Sequence, residues 1–354
     1  MLNEEKTILD IIDELEEHQK AFFEFMKENN LKFDTFFKTW SDKIIDKMRQ
    51  NPNILRDFRR LNLTLGDSPS LHKGLKKIIF NLSSNTFLKR FHPQVSNLED
   101  AYDFAEKENL LKNMKKFPLP LTGNVKYYKK NNILFTHKWI RHHWLLKLFD
   151  KNLAGDNSIS TILDIGSNYG LFECLIKKKY PKKKFILVDF PEKLAAAKFF
   201  LNKEFPGSKF LSFKDIKEIE ILDKTTINNY DFVLLPVFFI NKLAKNSANL
   251  LCNFASFNEM ENWWFNYYLE SNVVKSIDYI FTLNRVNKPK YDQESKDSAI
   301  SILDFKLETF QKIHFNICQL YKSNYEANKI LGIPFFSKQV FHQPVFEFIG
   351  KKIN

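Results

Sequence analysis

Residues 161–189 constrain the fold of this chain more than any other segment. An apolar run at 161–165 leads into the turn GSNYG at 166–170, a helical stretch to about residue 180 and a second apolar run that ends at Asp189. Glycines permit positive φ and let a backbone approach a ligand closely. The start of the helix presents free N–H groups to that ligand. The spacing predicts one strand–helix–strand unit with a ligand site at its turn.

The chain after residue 150 alternates between apolar runs and helical stretches. Helices are predicted at 170–180 and 191–203. The candidate strands are 161–165, 185–189, 209–213, 231–235, 250–255, 277–284 and 344–349. Near-continuous apolar strands separated by helices predict a mostly parallel α/β sheet covered on both faces, with an antiparallel strand near the C-terminus.

The first 115 residues show helical periodicity and no convincing alternation with period two. A helix over 4–28 carries one broad apolar face, and further helices are predicted at 33–50, 53–61, 71–80 and 97–115. Prolines and a glycine in 117–124 mark a boundary. We therefore expect a helical N-terminal domain at 1–120 and an α/β domain at 121–354 that opens with a helix ending at Asp150. The apolar face of the first helix also suggests a homodimer.

Composition narrows the class of protein. The formal charge is +12, but only seven of the 54 basic side chains are arginine. This pattern fits a general lysine bias better than a nucleic-acid surface, which uses arginine clusters and aromatic platforms. The run 232–240 is too short to span a bilayer. The three cysteines lack metal-site spacing, and no Asp/Glu/His cluster demands a metal. We expect a soluble cytoplasmic protein.

The turn at 166–170 departs from the dinucleotide-binding pattern, because Leu171 stands where the third glycine would be. Its D-I-G-x-N-x-G sequence, with Asp189 ending the next strand, resembles class I S-adenosylmethionine (SAM)-dependent methyltransferases over about residues 134–350. Arg141 and the segment from Asn253 to Met260 resemble, more narrowly, the sugar O-methyltransferases related to a nanchangmycin-biosynthesis enzyme. The resemblance implies a Rossmann-like sheet and SAM as cofactor; another Rossmann-like protein, such as a dehydrogenase or a nucleotide-sugar enzyme, is the alternative.

The resemblance also implies roles for residues of the turn. Gly166, Asn168 and Gly170 would shape the pocket for the methionine part of SAM. Asp164 would support the turn or contact the amino group. Asn168 replaces the family's middle glycine, and asparagine is the non-glycine residue that best tolerates left-handed backbone.

Three more residues take cofactor roles by the same resemblance. Asp189 would accept hydrogen bonds from the ribose hydroxyls, and Asp215 would lie near the adenine. Arg141 would pair with the cofactor carboxylate, although a surface or interdomain salt bridge explains this arginine equally well.

The acceptor is expected beyond the ends of the fourth and fifth strands, at 236–238 and 256–259, because ligands of open α/β sheets lie outside the carboxyl ends of the strands. A hydroxyl acceptor needs a base. Glu259 is the first candidate, although a glutamate stabilised by a helix dipole is the alternative. His137 is the second and His342 the third, whereas His314 lies in a helical pattern and reads as structural.

Four further residues are candidates for binding the acceptor: Asn253, Ser256, Asn284 and Arg285. Together these features predict a SAM-dependent O-methyltransferase acting on a hydroxyl of a nucleotide-linked or surface-glycan sugar. The alternatives are a methyltransferase for RNA or protein and a non-catalytic Rossmann-like interaction module.

Overall fold

A computed structural model describes most of the chain and resolves its central sheet. The described residues are 2–31, 35–61, 63, 93–286, 300–321, 324–330, 333–340 and 344–353. The α-helices are α1 Leu2–Glu28, α2 Thr35–Gln50, α3 Pro93–Lys107, α4 Leu111–Lys116, α5 His137–Asn152, α6 Leu171–Lys179, α7 Pro191–Glu204, α8 Phe213–Ile216, α9 Lys224–Asn228, α10 Asn262–Leu269 and α11 Asn272–Lys275. The strands are β1 Tyr128–Lys130, β2 Ile133–Phe135, β3 Thr161–Ile165, β4 Lys184–Asp189, β5 Phe210–Leu211, β6 Phe232–Pro236, β7 Leu250–Phe254, β8 Tyr279–Arg285, β9 Phe310–Ile317, β10 Asn324–Ile330, β11 Ile333–Val340 and β12 Val345–Lys352.

The large sheet has the strand order β5–β6–β4–β3–β7–β8–β12–β9. Strands β3 to β8 pair in parallel, and β12 runs antiparallel to β8 and β9. The chain moves outward from β3 to β4 on one side and from β7 to β8 on the other. The topological switch point therefore lies between β3 and β7. This architecture confirms the predicted Rossmann-like sheet, including the antiparallel strand near the C-terminus.

The strands are buried on both faces, and alternate residues enter two apolar cores. Ile162 and Leu187 pack with α5, α6 and α7 on one face. Leu163 and Val188 face α8, α10 and α11 on the other. This double covering explains why the strands appear as near-continuous apolar runs, since no face is left for alternating polar residues.

The described elements before residue 120 are all helical, as expected. The apolar face of α1 packs onto α7, and Ile8, Ile11 and Leu15 join the same buried cluster as Phe200. Ion pairs reinforce the contact, among them Lys203 with Glu4 at 2.7 Å. The first helix thus lies directly on the α/β core, while the boundary at 120/121 stays a prediction.

A β-hairpin that the sequence did not predict precedes the helix that was expected to end at Asp150. The helix ending near Asp150 begins at His137, after Thr136 caps it by accepting the Trp139 N–H at 3.0 Å. The preceding residues form the β1–β2 hairpin, whose turn residues Asn131 and Asn132 both have positive φ. Two asparagines tolerate this mirror-image turn, which matches strand twist.

Two other predicted helices are altered. The helix expected at 97–115 is divided into α3 and α4 by Asn109, whose φ is 55°. The stretch expected at 53–61 forms a 3-10 helix at Pro52–Asp57. The helix predicted at 71–80 lies outside the described residues.

The prediction that His314 lies in a helix was wrong. It belongs to β9, where Ile313, Phe315 and Ile317 alternate with polar residues. This is the period-two pattern of a strand, and an edge position leaves much of it exposed. No helix in the described part of the chain is long and apolar enough to cross a bilayer.

Candidate functional site

The turn between β3 and α6 adopts the left-handed backbone that its sequence predicts. The φ angles of Gly166, Asn168 and Gly170 are 81°, 58° and 79°. The Asn168 N–H donates to the Asp189 carboxylate at 2.6 Å, and the Phe190 N–H donates to the same group at 2.8 Å. The turn is therefore fastened to the end of the neighbouring strand, so the strand-end acid and the glycine turn form one unit.

Gly166 is required by close packing as well as by its φ angle. A Cβ atom there would lie 2.1 Å from the Ser256 hydroxyl oxygen. Ser256 reaches this position because Ala255 has a φ of 60°, a conformation that costs a non-glycine residue roughly 1–2 kcal/mol. The Ala255 N–H donates to the Leu283 carbonyl at 2.7 Å and holds the bend. The end of β7 thus closes tightly over the turn at the switch point.

Asp189 is 8% exposed. Burial raises its pKa to about 7, against the opposing influence of Lys193 and the two backbone N–H donors. Burial likewise lowers the pKa of Lys193 to about 8. This carboxyl has a pKa near 7 and is held in place by two backbone N–H donors. It is therefore well placed to accept hydrogen bonds from hydroxyl groups.

Asp164 and Glu173 form a buried carboxyl pair beneath the turn. Asp164 is the penultimate residue of β3 and Glu173 lies in the first turn of α6; they are 3% and 0% exposed. Burial and the neighbouring Glu173 carboxyl raise the pKa of Asp164 well above its usual range, while Arg141 opposes the rise. Burial also raises the pKa of Glu173. Sequence analysis missed Glu173, although an acid within the apolar run LFECLI was a usable signal.

Helix α5 brings two predicted residues to the same face. Arg141 hydrogen-bonds to the phenol of Tyr321, whose pKa burial raises. The His137 ring lies 5.5 Å from the Tyr321 ring. Burial and the Arg141 charge lower the pKa of His137 to about 4, so this imidazole is neutral at pH 7. Nothing in the sequence pointed to Tyr321, which arrives from a distant part of the chain.

Two predicted acceptor ligands, Asn253 and Asn284, form a buried amide network. Asn253 donates to the Ile165 carbonyl at 2.6 Å and accepts from the Phe257 N–H at 2.9 Å. Asn284 donates to the Asn253 side-chain oxygen at 3.0 Å. Both asparagines are fully buried. In this structure they join the ends of β3, β7 and β8 to one another.

Glu259 and Arg285 also come together, at the carboxyl ends of β7 and β8. The Arg285 Nη1 lies 2.9 Å from the Glu259 Oε1, and both side chains are about one-third exposed. Arg285 therefore holds the partly exposed Glu259 carboxylate at the carboxyl ends of these strands. It can act there as a proton acceptor or as a hydrogen-bond acceptor for a hydroxyl group.

The strand order corrects the expected position of the acceptor. Strand β6 pairs with β4, and Pro236 lies opposite Asp189. The end of the fourth predicted strand therefore lies across β4 and β3 from Ser256, so the two expected ends do not meet. Asp215 is exposed on α8, beyond the edge strand β5. His342 lies outside the described residues.

Aromatic rings from α1 pack against residues that follow β4, β6 and β5. Phe22 lies 5.8 Å from Phe190 and 6.1 Å from Phe238, measured between ring centroids. The His18 ring stacks on Phe213 at 4.9 Å. Phe190, Phe238 and Phe213 follow the ends of β4, β6 and β5, so the first helix covers the carboxyl ends of these three strands. Among the described residues, no His, Cys, Asp or Glu side chains are grouped to bind a metal ion.

Comparison with known proteins identifies similar folds only. The sequence matches no family model and no curated protein. Its fold is similar to the mitomycin 7-O-methyltransferase MmcR, with 11% identity, a TM-score of 0.34 and coverage of 61% of this chain and 57% of that one. The chain therefore spans little more than half of the mitomycin enzyme.

Two further solved structures have comparable values. A SAM-dependent methyltransferase from Aquifex aeolicus is 14% identical, with a TM-score of 0.35 and coverage of 60% and 89% of the two chains. LepI, solved in complex with SAM, is 12% identical, with a TM-score of 0.32 and coverage of 59% and 46%. Identities and TM-scores this low do not assign a reaction to this chain. The fold assignment depends on the strand order instead.

Proposed function

We propose that this protein is a SAM-dependent methyltransferase with its cofactor beyond the carboxyl ends of β3 and β4. The positive-φ turn that Asn168 fastens to Asp189 carries the proposal. It lies beside the switch point of the sheet, where ligands of such folds bind. The buried Asp164 Oδ1 and Ser167 Oγ have no partner among the described residues, which fits a ligand with polar groups of its own.

The residues around the turn suit the separate parts of an amino-acid nucleoside. Asp189 would accept hydrogen bonds from the ribose hydroxyls, while its two backbone donors keep the carboxylate in place. Asp164 would face the ammonium group. Arg141, fixed by Tyr321, would pair with the carboxylate. When bound, SAM supplies a sulfonium-linked methyl group that a nucleophile can displace.

For the acceptor we propose a sugar hydroxyl. Trp263 and Tyr267 of α10 are half-buried and stack on each other at 4.9 Å, which is a surface suited to a sugar ring. Arg285 orients Glu259 as the proton acceptor, and the neutral His137 is the alternative base. The reaction would be in-line displacement, for which positioning supplies most of the rate enhancement.

The cofactor assignment is tested by calorimetric titration of the full chain with SAM and S-adenosylhomocysteine. We expect both to bind and Asp189→Ala to weaken binding at least tenfold, about 1.4 kcal/mol. Asp278→Ala is the matched control, because this aspartate immediately precedes β8 and so lies at the amino ends of the parallel strands. Unchanged affinity in Asp189→Ala would contradict the ribose contact. Failure of the wild type to bind either ligand would favour a non-catalytic module.

The acceptor class is tested by incubating the protein and SAM with nucleotide sugars, glycans, RNA or protein, followed by mass spectrometry. We expect one added methylene mass on a sugar. The same gain on RNA or protein would replace the sugar proposal and leave the cofactor proposal standing.

A further inference from the structure

The buried Asp164–Glu173 pair has more hydrogen-bonding capacity than the protein uses. The two carboxyls hydrogen-bond to each other. Beyond this contact the Glu173 carboxyl is reached by its own backbone N–H, and no other donor in the described chain reaches Asp164 Oδ1, Glu173 Oε1 or Glu173 Oε2. Ser167, in the turn between them, is 8% exposed and its hydroxyl likewise lacks a partner among the described residues. Buried acceptors without donors are costly unless a ligand satisfies them.

A proton must be shared within this pair. Ionised carboxylates only accept hydrogen bonds, so one of the two must be protonated to donate to the other. Like charges in a dry site make the second ionisation unfavourable. The pair therefore carries at most one negative charge in the absence of a ligand.

Other charged or titratable groups face the pair from α5, β4 and β7. Arg141 and Lys138 approach from α5 and favour ionisation of Asp164 and Glu173, respectively. Asp189 on β4 opposes the ionisation of Asp164. The buried Cys252 thiol on β7 also lies close to both carboxyls, and its pKa is well above the usual range because of burial and their charges.

We infer that Glu173 and Asp164 together bind the ammonium of the cofactor's amino-acid part, and that this ammonium displaces the shared proton to solvent. The inference rests on the proposed function and names Glu173 as a second ligand for that group. An ammonium carries three N–H donors, enough to satisfy the oxygens that now lack partners. In the exchange the pair changes from one carboxyl and one carboxylate to two carboxylates, and one proton enters the buffer.

Comparing two ligands distinguishes proton release by the Asp164–Glu173 pair from proton release at Asp189. S-adenosylhomocysteine carries the ammonium, whereas 5′-methylthioadenosine has the same ribose and adenine without the amino-acid part. Titration calorimetry in two buffers of different ionisation enthalpy counts protons released on binding. At pH 6.5 the free amine is mostly protonated, since its usual pKa is about 7.7–8.0, so any extra proton comes from the protein.

We expect S-adenosylhomocysteine to release about one more proton than 5′-methylthioadenosine, as one-proton linkage requires. The ratio of their affinities should then rise by up to about tenfold per pH unit between pH 5.5 and 7.5. In Glu173→Gln the extra proton and the pH slope should both disappear, because the amide donates to Asp164 without a titrating proton. Asp164→Asn should behave in the same way.

Glu14→Gln is the matched control. Glu14 is also a buried glutamate, but it lies on α1 and accepts from the Phe213 N–H at 2.8 Å and from the Ser212 hydroxyl at 3.1 Å. This variant should keep the wild-type proton count and slope. Equal proton counts for the two ligands in the wild type, or an unchanged count in folded Glu173→Gln and Asp164→Asn, would overturn the inference. Absence of binding by both ligands would instead refute the proposed function.

Discussion

Beyond β4, β6 and β5 the carboxyl edge of the sheet is lined by aromatic rings, whereas beyond β3, β7 and β8 it is lined by carboxyl and amide groups. In the aromatic half, Phe22 of α1 meets Phe190 and Phe238. In the polar half, buried acceptors of Asp164 and Asn284 lack partners among the described residues. Asp189 ends β4 at the border between the two halves.

Along this edge the aromatic half serves the stability of the fold, and the polar half serves ligand binding. Aromatic contacts gain free energy without a ligand, because they remove apolar surface from water. Buried polar acceptors are costly until a donor arrives. The aromatic half should therefore dominate the free energy of unfolding, and the polar half should respond most to ligand.

Removing a ring from the aromatic half should have the largest effect on stability. Phe22 is 3% exposed, and Phe22→Ala should lower the free energy of unfolding by about 3–5 kcal/mol, measured by urea titration. Leu303→Ala is the control at an 84% exposed side chain, where the change should stay within about 0.5 kcal/mol. A loss below about 1 kcal/mol for Phe22→Ala would contradict the prediction that the aromatic half dominates the free energy of unfolding.

Disrupting the amide network should cost less but affect binding as well. Asn253→Ala leaves the Ile165 carbonyl and the Phe257 N–H without their partner, so unfolding should require about 2–3 kcal/mol less. S-adenosylhomocysteine affinity should fall about tenfold, about 1.4 kcal/mol, because Ile165 precedes the turn. Asn316→Ala on the exposed strand β9 serves as control. Wild-type affinity in folded Asn253→Ala would show that the network only supports the fold.

The Glu259–Arg285 pair should contribute least to stability. A double-mutant cycle with Glu259→Gln and Arg285→Met should give a coupling energy of about 0.2–1 kcal/mol, as for other partly exposed ion pairs. The Glu270–Lys275 pair, at 2.5 Å and more exposed, provides a matched cycle. If the Glu259 pair gave a coupling above about 2 kcal/mol, a structural role would replace the proposed role as an oriented proton acceptor.

Local patterns in the sequence predicted much of the fold. The strand–turn–helix–strand unit at 161–189 could be identified because apolar runs and glycine turns are determined by short-range sterics and burial. Even the positive φ of Asn168 followed from the residue type. The same reasoning failed at His314, where an edge strand with period-two alternation was taken for a helix.

The sequence could not predict which residues that are distant along the chain come into contact. Local pattern did not reveal that β6 would pair with β4, that Ser256 would pack against Gly166, or that Tyr321 would reach Arg141. Such contacts depend on strand order and on loop closure over long separations, which are settled by the packing of the whole core. The sequence determined the turn and its strand-end acid, and the tertiary structure decided that Glu173 would be buried against Asp164.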